Sequence, residues 1–174
     1  MSDKSPSGPH RHNVTLSDMD SLPELSRDGK PMQLPEVGLL RVDHVGIAVA
    51  DLDEALTFYS ETFGMHCVHE ERNEEQGVRE AMIAADPDGT GARIQLLAPL
   101  RPDSAIAKFL DRNGPGLQQL AYTVKDVEAA SDALRARGLR LLYESPRRGT
   151  AGSRINFVHP KDAGGVLVEL VEPA

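Results

Sequence analysis

Five polar side chains stand on segments where apolar residues alternate with period two: His44, Glu80, Gln95, Gln119 and Glu169. A carboxylate on such a face loses solvent and its pKa rises, which suits it to general-base work. Glu80, with Val78 and Met82 at alternate positions, is that candidate. Its other reading is a surface residue of an edge strand near Arg79 or Arg93. His44, Gln95, Gln119 and Glu169 together offer one imidazole nitrogen, two amide oxygens and one carboxylate. Brought together, these groups suit a divalent cation of the Mn, Co, Ni or Zn group, with positions left for water or substrate. A buried network of hydrogen-bonded side chains is the alternative use of the same residues. A single imidazole argues against an iron oxygenase site, which uses two histidines and a carboxylate.

Whether the groups meet depends on the elements that carry them. Arg41 to Val49 alternates, with Val42, His44, Gly46 and Ala48 on one face and Asp43, Val45, Ile47 and Val49 on the other. Asp51 then caps a helix with Glu54 three residues on, and Leu52, Ala55, Leu56, Tyr59 and Phe63 form its apolar stripe up to Gly64. Strands are predicted at Met65 to Glu71, Gly77 to Ala84 and Arg93 to Leu97, with a turn at Asp86-Pro87-Asp88-Gly89. After a linking helix from Ser104 to Arg112 the βαβββ order recurs. Its parts are a strand at Leu117 to Val124, a helix from Asp126 to Gly138, and strands at Arg140 to Glu144, Ile155 to His159 and Gly165 to Val171.

Val49-x-Asp51-x3-Ala55 matches Val124-x-Asp126-x3-Ala130 at an offset of 75, and Gln95 to Pro99 matches Glu169 to Pro173 at 74. Two matches at nearly one spacing mark an internal duplication. It pairs His44 with Gln119 and Gln95 with Glu169, so a pseudo-twofold axis would gather all four. The expected fold is α+β, with modules at 39–100 and 101–174 forming a concave eight-stranded sheet around a central site. Residues 1–38 have no sustained periodicity and are expected to be a disordered or loosely docked tail, with His10 and His12 solvated.

The 174 residues include 19 basic and 27 acidic side chains, a formal net charge of −8. That balance, without a basic stripe, argues against nucleic acid as a partner. No apolar run reaches the roughly 18 residues of a membrane span. A lone Cys67 excludes an internal disulfide and supports a reducing, cytoplasmic setting.

Several segments run in a recognisable order: Asp43-His44-Val45, Glu75-Gln76-Gly77-Val78-Arg79-Glu80, Ile94-Gln95-Leu96-Leu97-Ala98-Pro99, Gly116-Leu117, Arg154 to Lys161 and Gly165 to Leu170. On these, residues 41–174 resemble the methylmalonyl-CoA epimerases of the vicinal-oxygen-chelate superfamily. The resemblance implies paired βαβββ modules, a homodimer and an acyl-CoA thioester substrate. It implies a divalent metal, often cobalt, on His44, Gln95, Gln119 and Glu169, with acid–base work by Glu80 and Glu169. The implied reaction interconverts the 2R and 2S forms of methylmalonyl-CoA through an enolate. Arg147, Arg148, Arg154 and Lys161 are the candidates for the CoA phosphates, against a solvated surface. Where that family has Gly-Leu-His-His, this chain has Gly116-Leu117-Gln118-Gln119, so an amide replaces a ligating imidazole. An amide oxygen is a weaker donor for late divalent metals, which lowers affinity, changes the preferred metal or leaves the site empty. The alternatives are a metal-poor relative that binds a small molecule without catalysis, and an enzyme that acts on, or decarboxylates, another malonyl thioester.

Overall fold

The computed structural model describes residues 36–174. Residues 1–35 of the expected tail, with His10 and His12, lie outside the described residues. Eight strands and three helices follow in the order β1 (Leu39–Ala48), α1 (Leu52–Phe63), β2 (His66–Asn73), β3 (Val78–Ala84), β4 (Arg93–Pro99), α2 (Ala105–Asn113), β5 (Gly116–Val124), α3 (Val127–Ala136), β6 (Arg147–Arg148), β7 (Arg154–Val158) and β8 (Val168–Glu172). They form one mixed sheet in the order β2-β3-β4-β1-β5-β8-β7-β6. β1 and β5 pair antiparallel at its centre, and each has the last strand of its own half as a parallel neighbour, β4 and β8. The fold is the α+β architecture expected for the vicinal-oxygen-chelate class.

Local chemistry explains the elements. Asp51 is extended and accepts the Glu54 N–H, while Gly64 takes the left-handed conformation that ends α1. Asp126 accepts the N–H groups of Glu128 and Ala129 at the start of α3. Each half buries a helix on one face of its sheet. Leu52 of α1 packs on Ala81, Ile83, Leu96 and Ala98, and Val127 and Ala130 of α3 pack on Val124 and Leu170. The other face carries Ala48, Val78 and Leu97 in the first half and Ala121, Ile155, Phe157 and Val171 in the second. That inner face lines the candidate site.

Two expectations are corrected. Arg140 to Glu144 is not a strand; Leu141 makes only an isolated bridge to Val158. Its neighbour Tyr143 is tied to β7 through the Asn156 side chain, which accepts from the Tyr143 N–H and donates to the Tyr143 carbonyl. Backbone bonds from the Leu142 N–H to Phe157 and from the His159 N–H to Arg140 make that bridge; past it the Asn156 side chain stands in for the ladder, and the sixth strand is instead Arg147–Arg148. β1 is also irregular. Val42 pairs with Tyr122 and His44 with Ala121, so Asp43 is an extra residue in a bulge. A bulge breaks strict alternation, and Asp43 and His44 are both buried and bonded to each other instead of facing opposite ways.

Candidate active site

The four expected donors meet at the centre of the sheet, and the fifth residue, Glu80, joins them. Residual exposure is 3% for His44, 4% for Glu80, 3% for Gln95, 8% for Gln119 and 6% for Glu169, so the surface reading of Glu80 falls. Arg79 and Arg93 are engaged elsewhere, with Asp53 and Glu70 and with Asp43. Gln119 reaches the centre because Gly46 faces it. A Cβ on Gly46 would lie 2.5 Å from Gln119 Cγ.

The geometry is a chain of hydrogen bonds. Gln95 donates from Nε2 to Glu80 at 2.9 Å, and its Oε1 accepts from Gln119 Nε2 at 3.2 Å. Gln119 Nε2 also donates to Glu169 Oε2 at 2.5 Å. Two amides therefore link the two carboxylates. Gln119 Nε2 further lies 3.5 Å from His44 Nε2, and that nitrogen is 3.3 Å from Glu169 Oε2. Imidazole nitrogen, amide oxygen and carboxylate oxygen thus surround one point, which the Gln119 amide group fills. Gln119 turns its Nε2 to that point; with the amide turned to present its oxygen, the donor set would suit a cation. Among the described residues no three His, Cys, Asp or Glu side chains cluster as a metal site.

Electrostatics separate the residues. Burial drives the Glu80 carboxyl up to about 7, with the Glu71 and Glu169 charges adding to it and the Thr150 bond opposing it. Burial would lower His44, but its bonds to Asp43 and Glu169 outweigh it and hold the ring near 9. Asp43 is also buried, yet bonds from His44 and Thr123 and the Arg93 charge keep its carboxyl below the usual range.

Two cavities flank the donors. One, of about 330 Å³, is lined by His44, Val68, His69, Met82, Glu169 and Val171 among others. The other, of about 250 Å³, is lined by Gln119 and Leu97, the repeat mates of His44 and Val171, and also by Glu80, Gln95, Tyr143 and Phe157. Glu169 and Thr150 line both.

Sequence reasoning missed Thr150. Its hydroxyl donates to Glu80 Oε1 at 2.7 Å and accepts from Gln95 Nε2 at 2.9 Å. The next residue, Ala151, holds a left-handed backbone with φ of 53°, rare outside glycine, and its N–H is pinned by Glu71. No periodic signal marks such a loop. Of the four cations considered for phosphates, only Arg147 lines the cavity with Glu80. Arg154 is turned to Glu128 and Glu172, and neither Arg148 nor Lys161 reaches that cavity.

A duplicated sheet with ligand-type side chains at its centre defines a class, and the family model described as Glyoxalase/Bleomycin resistance protein/Dioxygenase superfamily matches residues 43–157. The ethylmalonyl-CoA/methylmalonyl-CoA epimerase of Cereibacter sphaeroides is 38% identical over 132 residues, 75% of this chain and 96% of that protein. A crystal structure of methylmalonyl-CoA epimerase from Mycobacterium tuberculosis is 59% identical with a TM-score of 0.75, covering 82% of this chain and 94% of that one. A variant of the Streptomyces coelicolor methylmalonyl-CoA epimerase, in complex with 2-nitronate-propionyl-CoA, is 50% identical with a TM-score of 0.73, covering 78% and 99%. The chain belongs to the methylmalonyl-CoA epimerase family of this superfamily.

Proposed function

We propose that the protein is an epimerase that interconverts the 2R and 2S forms of methylmalonyl-CoA. The observation that carries this reading is a desolvated Glu80 joined through Gln95 and Gln119 to a second carboxylate, Glu169, across a cavity. The C2 hydrogen of a malonyl thioester lies between two carbonyl groups, so its removal gives an enolate. Epimerisation then needs proton donors on opposite faces of a planar centre. Glu80, held near 7, takes the proton on one face. Glu169, or a water that it orients, serves the other. Thr150 and Gln95 each bind one oxygen of Glu80 and fix its direction. Leu97, Ile155 and Phe157 give the acyl group an apolar wall, and Arg147 is the cation nearest to hand for the CoA phosphates.

His44, Gln95, Gln119 and Glu169 would hold a divalent metal, Co or else Mn, Ni or Zn. When bound, the metal supplies Lewis-acid polarisation of the thioester carbonyl. A homodimer fits the exposed apolar Leu39, Leu40 and Leu117. No helix among the described residues is long and apolar enough to cross a membrane. The free Cys67 suits a reducing cytoplasm.

The test is deuterium incorporation at C2 of methylmalonyl-CoA in heavy water. Exchange with inversion supports the reading. Exchange that is faster on an ethyl homologue moves the assignment to another malonyl thioester. Tight thioester binding with no exchange on any malonyl thioester overturns it in favour of a binding protein, which the amide at Gln119 would then explain.

A further inference from the structure

The bulge in β1 gives the site a residue that neither alternation nor the proposed chemistry uses. Asp43 is buried, and both of its oxygens are occupied. Oδ1 is 2.9 Å from His44 Nδ1 and accepts from Arg93 at 2.6 Å. Oδ2 accepts from the Thr123 hydroxyl at 2.7 Å, and Thr123 is itself bound by Arg41 Nε at 3.2 Å. The carboxylate is therefore fixed on two sides by β4 and β5. Arg41 adds an ion pair to Oδ2 at 3.9 Å, and the remaining contact is the imidazole.

We propose that Asp43 is a positioning residue for His44: by accepting the Nδ1–H it fixes ring orientation and tautomer, so that Nε2 is presented to the central point shared with Glu169 and Gln119. A carboxylate behind a ligating imidazole also raises its basicity toward a cation. The second half of the sheet supplies a comparison. The repeat mate of Asp43 is Gln118, 75 residues on, beside Gln119. There the ligand-type side chain is an amide, which has no tautomer to fix, and Gln118 Oε1 is buried without a partner. A carboxylate stands behind the imidazole and not behind the amide. The proposal rests on reading His44 as a metal ligand, but its first readout does not.

The experiment compares the parent with Asp43→Asn, both with 15N-labelled histidine and metal-free, the His44 signal being the one missing in His44→Gln. The parent should show a downfield, slowly exchanging His44 Nδ1 proton, and Asp43→Asn should shift it upfield or lose it. Cobalt affinity, read by competition with a chelator, should fall about 10–100-fold in Asp43→Asn. Thr123→Val, which frees one oxygen of Asp43, should move both readouts the same way by less. An unchanged ring proton and unchanged cobalt affinity in Asp43→Asn overturn the proposal. If Asp43→Asn does not fold, unchanged readouts in Thr123→Val do the same. If the parent takes up no cobalt, the metal reading falls, and persistence of the ring proton in Asp43→Asn still overturns the positioning role.

Discussion

In the first half of the sheet, β2 runs for eight residues and β3 carries Glu80 into a cavity; in the second, β6 is two residues long and β7 carries Ile155 to the matching place. Both halves bury a helix through the same kind of Asp cap and the same apolar face. At the centre, however, the repeat sets His44 against Gln119 and Gln95 against Glu169, and Gln119 bonds or approaches the other three. Duplication built a symmetric frame, and substitution made the middle unequal. One side holds an imidazole with a carboxylate behind it, and the other holds two amides. The inequality also separates the carboxylates: burial holds Glu80 near 7, while Glu169 lies against His44 and Gln119.

Removing the unequal carboxylate should have the largest effect. Glu80→Gln should slow C2 exchange by about 10²–10⁴-fold while thioester and metal binding stay close to the parent. The amide is close in shape but accepts no proton. Glu169→Gln should differ, losing metal together with exchange, since Glu169 touches His44 and Gln119. Exchange at the parent rate in Glu80→Gln would place the base elsewhere and remove the contrast between β3 and β7. In the parent, kcat/KM should rise with pH through about 7 as Glu80 ionises. A flat profile between pH 6 and 8 would argue against it.

The same carboxyl leaves a mark on stability. Its folded pKa of about 7 lies above the ordinary 4.5, so the folded state binds the proton more tightly. The contribution is fully present below pH 4.5 and is lost as pH rises through 7. From that difference the loss is on the order of 3 kcal/mol. Urea titrations at pH 5 and pH 8 should show Glu80→Gln gaining stability over the parent at the higher pH. An equal difference at both values would mean that Glu80 ionises normally in the fold.

Gln119→His makes the centre more symmetric and should raise cobalt affinity about tenfold, or ~1.4 kcal/mol, by restoring an imidazole donor. Equal or weaker binding would show that Gln119 does not contribute a donor. Its gain should be limited by the lack of a carboxylate behind position 119, where Gln118 stands.

The frame was legible because its signals are local: Asp51 and Asp126 as caps, Gly64 as a stop, and strands whose apolar residues alternate. The offsets of 74 and 75 then bring His44, Gln95, Gln119 and Glu169 toward one centre from the sequence alone. What stayed hidden depends on departures from regularity. The bulge at Asp43 adds one residue to one strand and reverses a side chain, which alternation reads as the opposite face. Thr150 sits in a loop shaped by Ala151 and Glu71, and its contact with Glu80 spans 70 residues of sequence. Tyr143 is bound to β7 by the Asn156 side chain, so a plausible strand from Arg140 to Glu144 meets the ladder at one bridge, Leu141 with Val158, and goes no further.

The smallest effect compares the two caps. Asp51 accepts one backbone N–H, from Glu54 at 3.0 Å, whereas Asp126 accepts two, from Glu128 and Ala129, each at 2.9 Å. The helices behind them also differ in what they bury. α1 buries only Leu52, while α3 buries Val127, Ala130, Ser131 and Ala133. Fraying the first turn of α3 therefore exposes Val127 and Ala130 at the core, and Glu172 loses the Val127 N–H that it accepts. Losing a cap costs about 0.5–2 kcal/mol. Asp126→Ala should fall near the upper end of that range and Asp51→Ala near the lower, measured by denaturant midpoints at constant slope. Neither should change cobalt affinity, because the caps lie outside the central network. Equal losses would show that the two halves bear their helices equally, confining their difference to the centre of the sheet.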